Sequence, residues 1–297
     1  MGVRYTNRAI TTEQQIDILK ERGLLIDDVE RAVKALDIIS YFRLAGYWRH
    51  FEADHTTHQF REGCRFADII DLYSFDKQLR ALLFTAIQTI EVAVRTKIIK
   101  HFALGAFWFM DENFATNEAR FATNLAVIRK EVERSHDDFI TEHFRKYNEP
   151  ELPPVWKTLE VISMGTLSKL YSNFSNATAK HAVAREFGLN HHKFFRSWLE
   201  CLAVLRNCCA HHSRLSNRVF PVKPKMPERM PNTWIADFSF REQTLYPQLC
   251  CVVYWLNSIV LENTFITDFK QLLISHPSVK TRLLGFPRNW EQEPLWR

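Results

Sequence analysis

Glycine and proline are scarce: 8 glycines and 11 prolines in 297 residues. A sheet protein needs many tight reversals, so the shortage argues against an all-β fold and against a Rossmann-type sheet. It also leaves no glycine-rich phosphate loop. The six cysteines (Cys64, Cys201, Cys208, Cys209, Cys250, Cys251) form no Cys-x-x-Cys pair. Two adjacent pairs fall inside apolar helical patterns, a poor layout for a disulfide framework or a zinc site. Free buried thiols are the expectation. No apolar run is long enough to span a bilayer. The most apolar window, LCCVVYWLNSIVL, contains Asn257 and Ser258 and reads as a core helix. The opening MGVRYTNRAITTEQQ has no apolar segment of the kind a secretory leader needs. A cytoplasmic protein with no membrane segment, no metal and no cofactor is expected.

What is present is helical. Hydrophobic residues make up 46% and charged residues 25%, an ordinary globular balance. TTEQQIDILKERG and LIDDVERAVKALDIIS each carry a cap and a 3.6-residue apolar period. FADIIDLYSFDKQLRALLFTAIQTIEVAVRTKIIKHFAL is the longest signal, read as a long helix after a shorter one. Residues 105–150 read as an insertion with its own helix. FITEHFRKYNEPELPPVW reads as a connection broken by Pro150, Pro153 and Pro154. VWKTLEVISMGTLSKLYSNF reads as helix, with either a break or close packing at Gly165. HHKFFRSWLECLAVLRNCCAHH is amphipathic, with Phe195, Trp198, Leu199, Leu202 and Leu205 facing a core. A buried helix follows near 245–262. With no repeat and no clean linker, the chain reads as one large all-α domain over 1–297.

Three stretches carry possible chemistry. In the long helix Glu91 continues the apolar stripe of Ile87 and stands four residues before Arg95. A carboxylate on an apolar face is costly unless paired, so the two are expected to pair, either as a core anchor or as the lining of a site. SYFRLAGYWRHF is dense in aromatics and arginines. Tyr41, Phe42, Tyr47, Trp48 and Phe51 could stack bases, with Arg43 and Arg49 near phosphates. A packed corner between helices is the favoured account of the same residues.

The third stretch, RNCCAHHSRLSNR (206–218), follows an apolar helix. On an ideal helix Arg206 and His211 differ by about 140° in azimuth, whereas Asn207 and His211 share a face. For Arg206 and His211 to touch one phosphate, the helix must distort or a second copy must complete the site. That is a physical reason to expect a homodimer. Zinc is disfavoured, because His211 and His212 point about 100° apart with no carboxylate nearby. A helix end whose cations offset the macrodipole remains open. So does RNA phosphodiester chemistry, in which an imidazole moves the proton and a guanidinium holds the phosphate. The net charge of +5 is compatible with a polyanionic partner without demonstrating one.

Arg206-Asn207-x-x-x-His211 resembles the Arg-polar-x3-His signature of the HEPN superfamily, which is rich in metal-independent ribonucleases. The chain also resembles the Abi (abortive-infection) family of bacterial phage-defence proteins, in its AbiD/AbiF-like branch. The matching stretches are TTEQQIDILKERGLLIDD, ISYFRLAGYW, FADIIDLYSFDKQLRALLFTAIQTIEVAVRTKI, LPPVWKTLEVISMGTLSKLY, LRNCCAHHSRLSNR and LLGFPRNWEQEPLW. Residues 105–150 match least. The resemblance implies an all-helical HEPN-like bundle whose catalytic pair, Arg206 and His211, is completed by a partner copy, with Asn207 the polar residue between them. It places His212, Arg214 and Asn217 at the rim and lets Glu91 and Arg95 support the site from beneath. Ser216 stands where relatives would carry an aromatic, which is expected to alter rim packing. The implied activity is a toxic endoribonuclease restrained by an antitoxin, in one form a small non-coding RNA that would contact Tyr41–Arg49. A non-catalytic RNA-binding module is the rival expectation, and a metal-dependent hydrolase a third.

Overall fold

The computed structural model describes residues 2–4 and 8–297. Residues 1 and 5–7, part of the opening stretch read as lacking a leader, lie outside the described residues. The chain is all-α, as its periodicity predicts. Its helices run α1 (Thr12–Glu21), α2 (Val29–Ile39), α3 (Tyr41–Trp48), α4 (Phe66–His101), α5 (Glu118–Glu133), α6 (Asp138–Lys146), α7 (Val155–Val161), α8 (Met164–Asn173), α9 (Ala177–Glu186), α10 (His192–Ala210), α11 (Leu245–Ile259) and α12 (Phe265–Ser275). One short antiparallel pair, β1 (Glu52–Asp54) and β2 (Gln59–Phe60), sits between α3 and α4.

The organising element is α4. It is one unbroken helix of 36 residues, roughly 54 Å long, and not a short helix followed by a long one. It contains no glycine or proline that would break it. Its buried positions, among them Ile69, Leu72, Phe75, Leu79, Leu83, Ile87, Ile90, Val94 and Ile98, recur at three- and four-residue spacing. Helices α3, α7, α8, α9, α10, α11 and α12 all pack against it. In α11, Leu245 to Leu256 are buried without a break, so this helix is apolar all round and sits inside the molecule.

Two readings of the middle region change. The segment 105–150 holds two helices, α5 and α6, and α5 packs on α7 and α8. The first half of FITEHFRKYNEPELPPVW is helix α6, because Ile140 and His143 give it an inward face and the prolines begin only at Pro150. The pattern around Gly165 resolves as a break. Ser163 caps α8 by accepting the Thr166 amide, and Glu131 of α5 accepts both the Ser163 amide and the Thr166 hydroxyl. All six cysteines are free, and all but Cys64 are buried. Burial pushes the thiols of Cys201, Cys209 and Cys250 up to about 12, which keeps them unreactive. Among the described residues no helix is long and apolar enough to cross a membrane.

Candidate functional site

The stretch 206–218 straddles the end of α10. The helix closes in a Schellman motif: the His212 amide donates to the Cys209 carbonyl at 3.2 Å, and the Ser213 amide to the Cys208 carbonyl at 2.8 Å. His212 occupies the left-handed position with φ +54, where glycine is the usual residue. A side chain there costs on the order of 1 kcal/mol, which the two hydrogen bonds offset. Asn217 also has positive φ, +49, a conformation asparagine tolerates better than most. Its amide donates to the Leu283 carbonyl, tying the loop to the C-terminal segment.

The loop after the motif is held from two sides. On one side, buried Asp76 of α4 accepts the Leu215 and Ser216 amides, each at 2.9 Å. It also accepts the Tyr47 hydroxyl at 2.9 Å and an Arg80 guanidinium N–H at 2.7 Å. Arg80 in turn donates to the Ser213 carbonyl at 3.2 Å. On the other side lies α3, whose Arg43 donates to the His212 carbonyl at 2.9 Å, while Arg214 donates back to the Gly46 carbonyl. The turn at the motif is therefore a fixed object and not a loose loop.

The expected pair Glu91–Arg95 forms. The Arg95 guanidinium donates to the Glu91 carboxylate and also caps α7 through the carbonyls of Leu159 and Ile162. The second Glu91 oxygen lies 4.0 Å from Arg206 Nε. That is a charge contact without a hydrogen bond, and Arg206 Nε is buried with no partner. The Arg206 guanidinium also lies 5.9 Å from the centre of the Phe84 ring. One carboxylate thus faces two guanidiniums, leaving net positive charge at Arg206, whose side chain is still 34% exposed.

His211 caps α10 and is exposed, as are Asn207 and His212. Among the described residues no hydrogen bond joins Arg206 to His211. Arg206 turns toward α4 while His211 faces out, in keeping with the azimuth argument. Asn207 stands at one end of a groove of about 860 Å³ between α5, α8 and α10, also lined by Arg120, Lys169 and Arg196. Arg214 is partly buried beside Arg49 and Arg218, and burial holds its guanidinium below the usual value. His50 stands nearby, and burial together with Arg61, Arg214 and Arg282 pushes it down to about 4.

The segment 41–49 forms a packed corner between helices. Tyr47 and Trp48 are 2% exposed. Tyr47 is spent on Asp76, and Trp48 packs edge-on against Tyr41, with ring centres 4.8 Å apart. Neither buried ring can stack a base. Arg43 and Arg49 are exposed, Phe42 is 90% exposed and Tyr41 is half-buried, so these four keep a face for RNA. Ser216 is not at the rim either. It is 1% exposed, with its amide held by Asp76. Sequence reasoning passed over Asp76 and Arg80. The signal was there: an acid four residues before an arginine on the Leu72–Leu79–Leu83 stripe, as with Glu91 and Arg95.

A family model described as Abi-like protein matches residues 34–217. The chain belongs to that family. No curated protein and no solved structure matches it. The match ends at Asn217, so it takes in α3, the whole of α4 and the motif at the end of α10.

Proposed function

We propose that this Abi-like protein is a metal-independent endoribonuclease that acts as a toxin in phage defence by abortive infection. One observation carries the reading. Arg206 is steadied by Glu91 and Phe84 yet keeps part of its side chain exposed, five residues before an exposed imidazole at a rigid helix end. In this reading Arg206 holds the scissile phosphate as charge builds on its oxygens. His211 takes the proton from the 2′-hydroxyl or returns one to the departing 5′-oxygen. The products are a 2′,3′-cyclic phosphate and a 5′-hydroxyl. Asn207 supplies an amide to the same phosphate or its neighbour.

Arg206 faces α4 and His211 faces out, so one chain offers acid–base and anion-holding groups in different directions. A homodimer that brings His211 of one copy to Arg206 of the other completes the site. Arg43, Arg49, Arg214 and Arg218 around the motif supply phosphate contacts for substrate or for a restraining RNA antitoxin in the cytoplasm. Those arginines also support a second reading, an RNA-binding module without chemistry.

The test pairs cleavage with affinity. Wild type, Arg206→Ala and His211→Ala are incubated with a mixed RNA pool, and RNA retention is measured in parallel. A nuclease loses cutting in His211→Ala by about 10²-fold or more and keeps its affinity. A binder shows no cutting in wild type, and its affinity falls when Arg43, Arg49 or Arg214 is neutralised.

A further inference from the structure

A cluster of imidazoles lies at the opposite end of α10 from the motif, roughly 28 Å away along the helix. His181 comes from α9, His191 is the residue that caps α10, and His192 is the first residue of α10. Their ring centres form a triangle with all three sides 4.6 Å. One donor nitrogen from each lies within 4.8 Å of the others. All three rings are half-buried, and Nδ1 of His192 is buried without a hydrogen-bond partner.

The turn that gathers them is built to hold one shape. Gly188 sits in it with φ +69, and a Cβ there would come within 2.8–2.9 Å of Asn232, Ser258 and Tyr254. The Tyr254 hydroxyl donates to the Gly188 carbonyl at 2.6 Å. The spacing between α9 and α10, and so between His181 and the other two rings, is fixed by α11 beneath it.

We propose that His181, His191 and His192 form a binding site for one Zn²⁺ ion per chain. Three imidazoles with no carboxylate or thiolate suit a borderline transition metal and not Mg²⁺ or Ca²⁺. The fourth position is left for water or an anion. Lys180 and Arg196 stand close by and favour an anionic fourth ligand over water. His191 Nδ1 accepts the Lys193 amide at 3.0 Å, so ligation through Nε2 keeps the helix cap and ligation through Nδ1 exchanges it for the metal. The ion would clamp α9 to the start of α10. This site is independent of the proposed RNA chemistry at the far end of the helix, and its readout is binding.

The experiment takes the full chain, strips it with EDTA, desalts it and titrates it with Zn²⁺ alone by calorimetry. Wild type is expected to bind one equivalent. His181→Ala with His192→Ala weakens binding by at least about 10²-fold. Cys64→Ser, which removes the most accessible thiol, leaves the stoichiometry at one. Co²⁺ bound to wild type gives a second measurement that needs no variant. A four-coordinate nitrogen–oxygen spectrum supports the site. A thiolate charge-transfer band, no uptake by wild type, or equal uptake by the double variant overturns the proposal.

Discussion

Helix α4 carries two acid–arginine pairs of the same i, i+4 design, and they do different work. Asp76 with Arg80 is saturated. Its carboxylate is fully buried and accepts from Tyr47, Arg80 and two loop amides. Roughly four turns further on, Glu91 with Arg95 is not saturated. Its side chain is 14% exposed, one oxygen is bound to Arg95, and the other only approaches Arg206 at 4.0 Å. A carboxylate with every lone pair used can anchor structure and do little else. A carboxylate with capacity left can steady a second cation while leaving it free to bind an anion. The first pair builds the turn that follows the motif helix, and the second brings a carboxylate to 4.0 Å from Arg206, which the proposed function uses to position that arginine.

The largest effect is expected where the saturated pair is broken. Asp76→Ala leaves Arg80 buried without its charge partner and frees the Leu215 and Ser216 amides, which costs about 3–5 kcal/mol. Denaturant unfolding reads this directly. A loss below about 1 kcal/mol would mean that the two pairs are alike after all. Next is Glu91→Gln. The fold should survive, because Arg95 still holds the Leu159 and Ile162 carbonyls. RNA cleavage should fall by up to about 10²-fold through misplacement of Arg206, with RNA retention largely kept. Equal losses of stability from Asp76→Ala and Glu91→Gln would erase the distinction between anchor and positioning group.

How much of this could be read from the sequence follows the same division. The α10 stripe and the pairing of Glu91 with Arg95 were legible because they depend on spacing within one helix. Asp76 obeys the same spacing to Arg80, which signals a pair but not how deeply it is buried. Its burial comes from Tyr47, 29 residues earlier, and from a loop about 140 residues later, which no local pattern encodes. The aromatic segment 41–49 was ambiguous for that reason: without its partner, Tyr47 looks as fit for a base as for a core. The left-handed turn at His212 gave no signal either, since the residue there is not glycine.

Smaller effects sharpen the comparison at the edges of the anchor. His50, beside Arg214, is held neutral in the fold at about 4, below the ordinary histidine value. The unfolded chain then binds the extra proton as pH falls from about 6.5 toward 4, so this group's contribution to stability is lost over that window. Thermal midpoints from pH 7 to pH 5 should decline, and His50→Phe should flatten the slope. Smallest is Tyr47→Phe, which removes one of the donors to Asp76 and should cost about 1 kcal/mol in the same unfolding assay.

The most direct test of the central claim is the chemistry of the RNA ends. Wild type would be incubated with RNA in excess EDTA, and both sides of each new break mapped. The account predicts 2′,3′-cyclic phosphate and 5′-hydroxyl ends from wild type and none from His211→Ala. Breaks ending in 3′-hydroxyl and 5′-phosphate, or cutting by His211→Ala as fast as wild type, would contradict it.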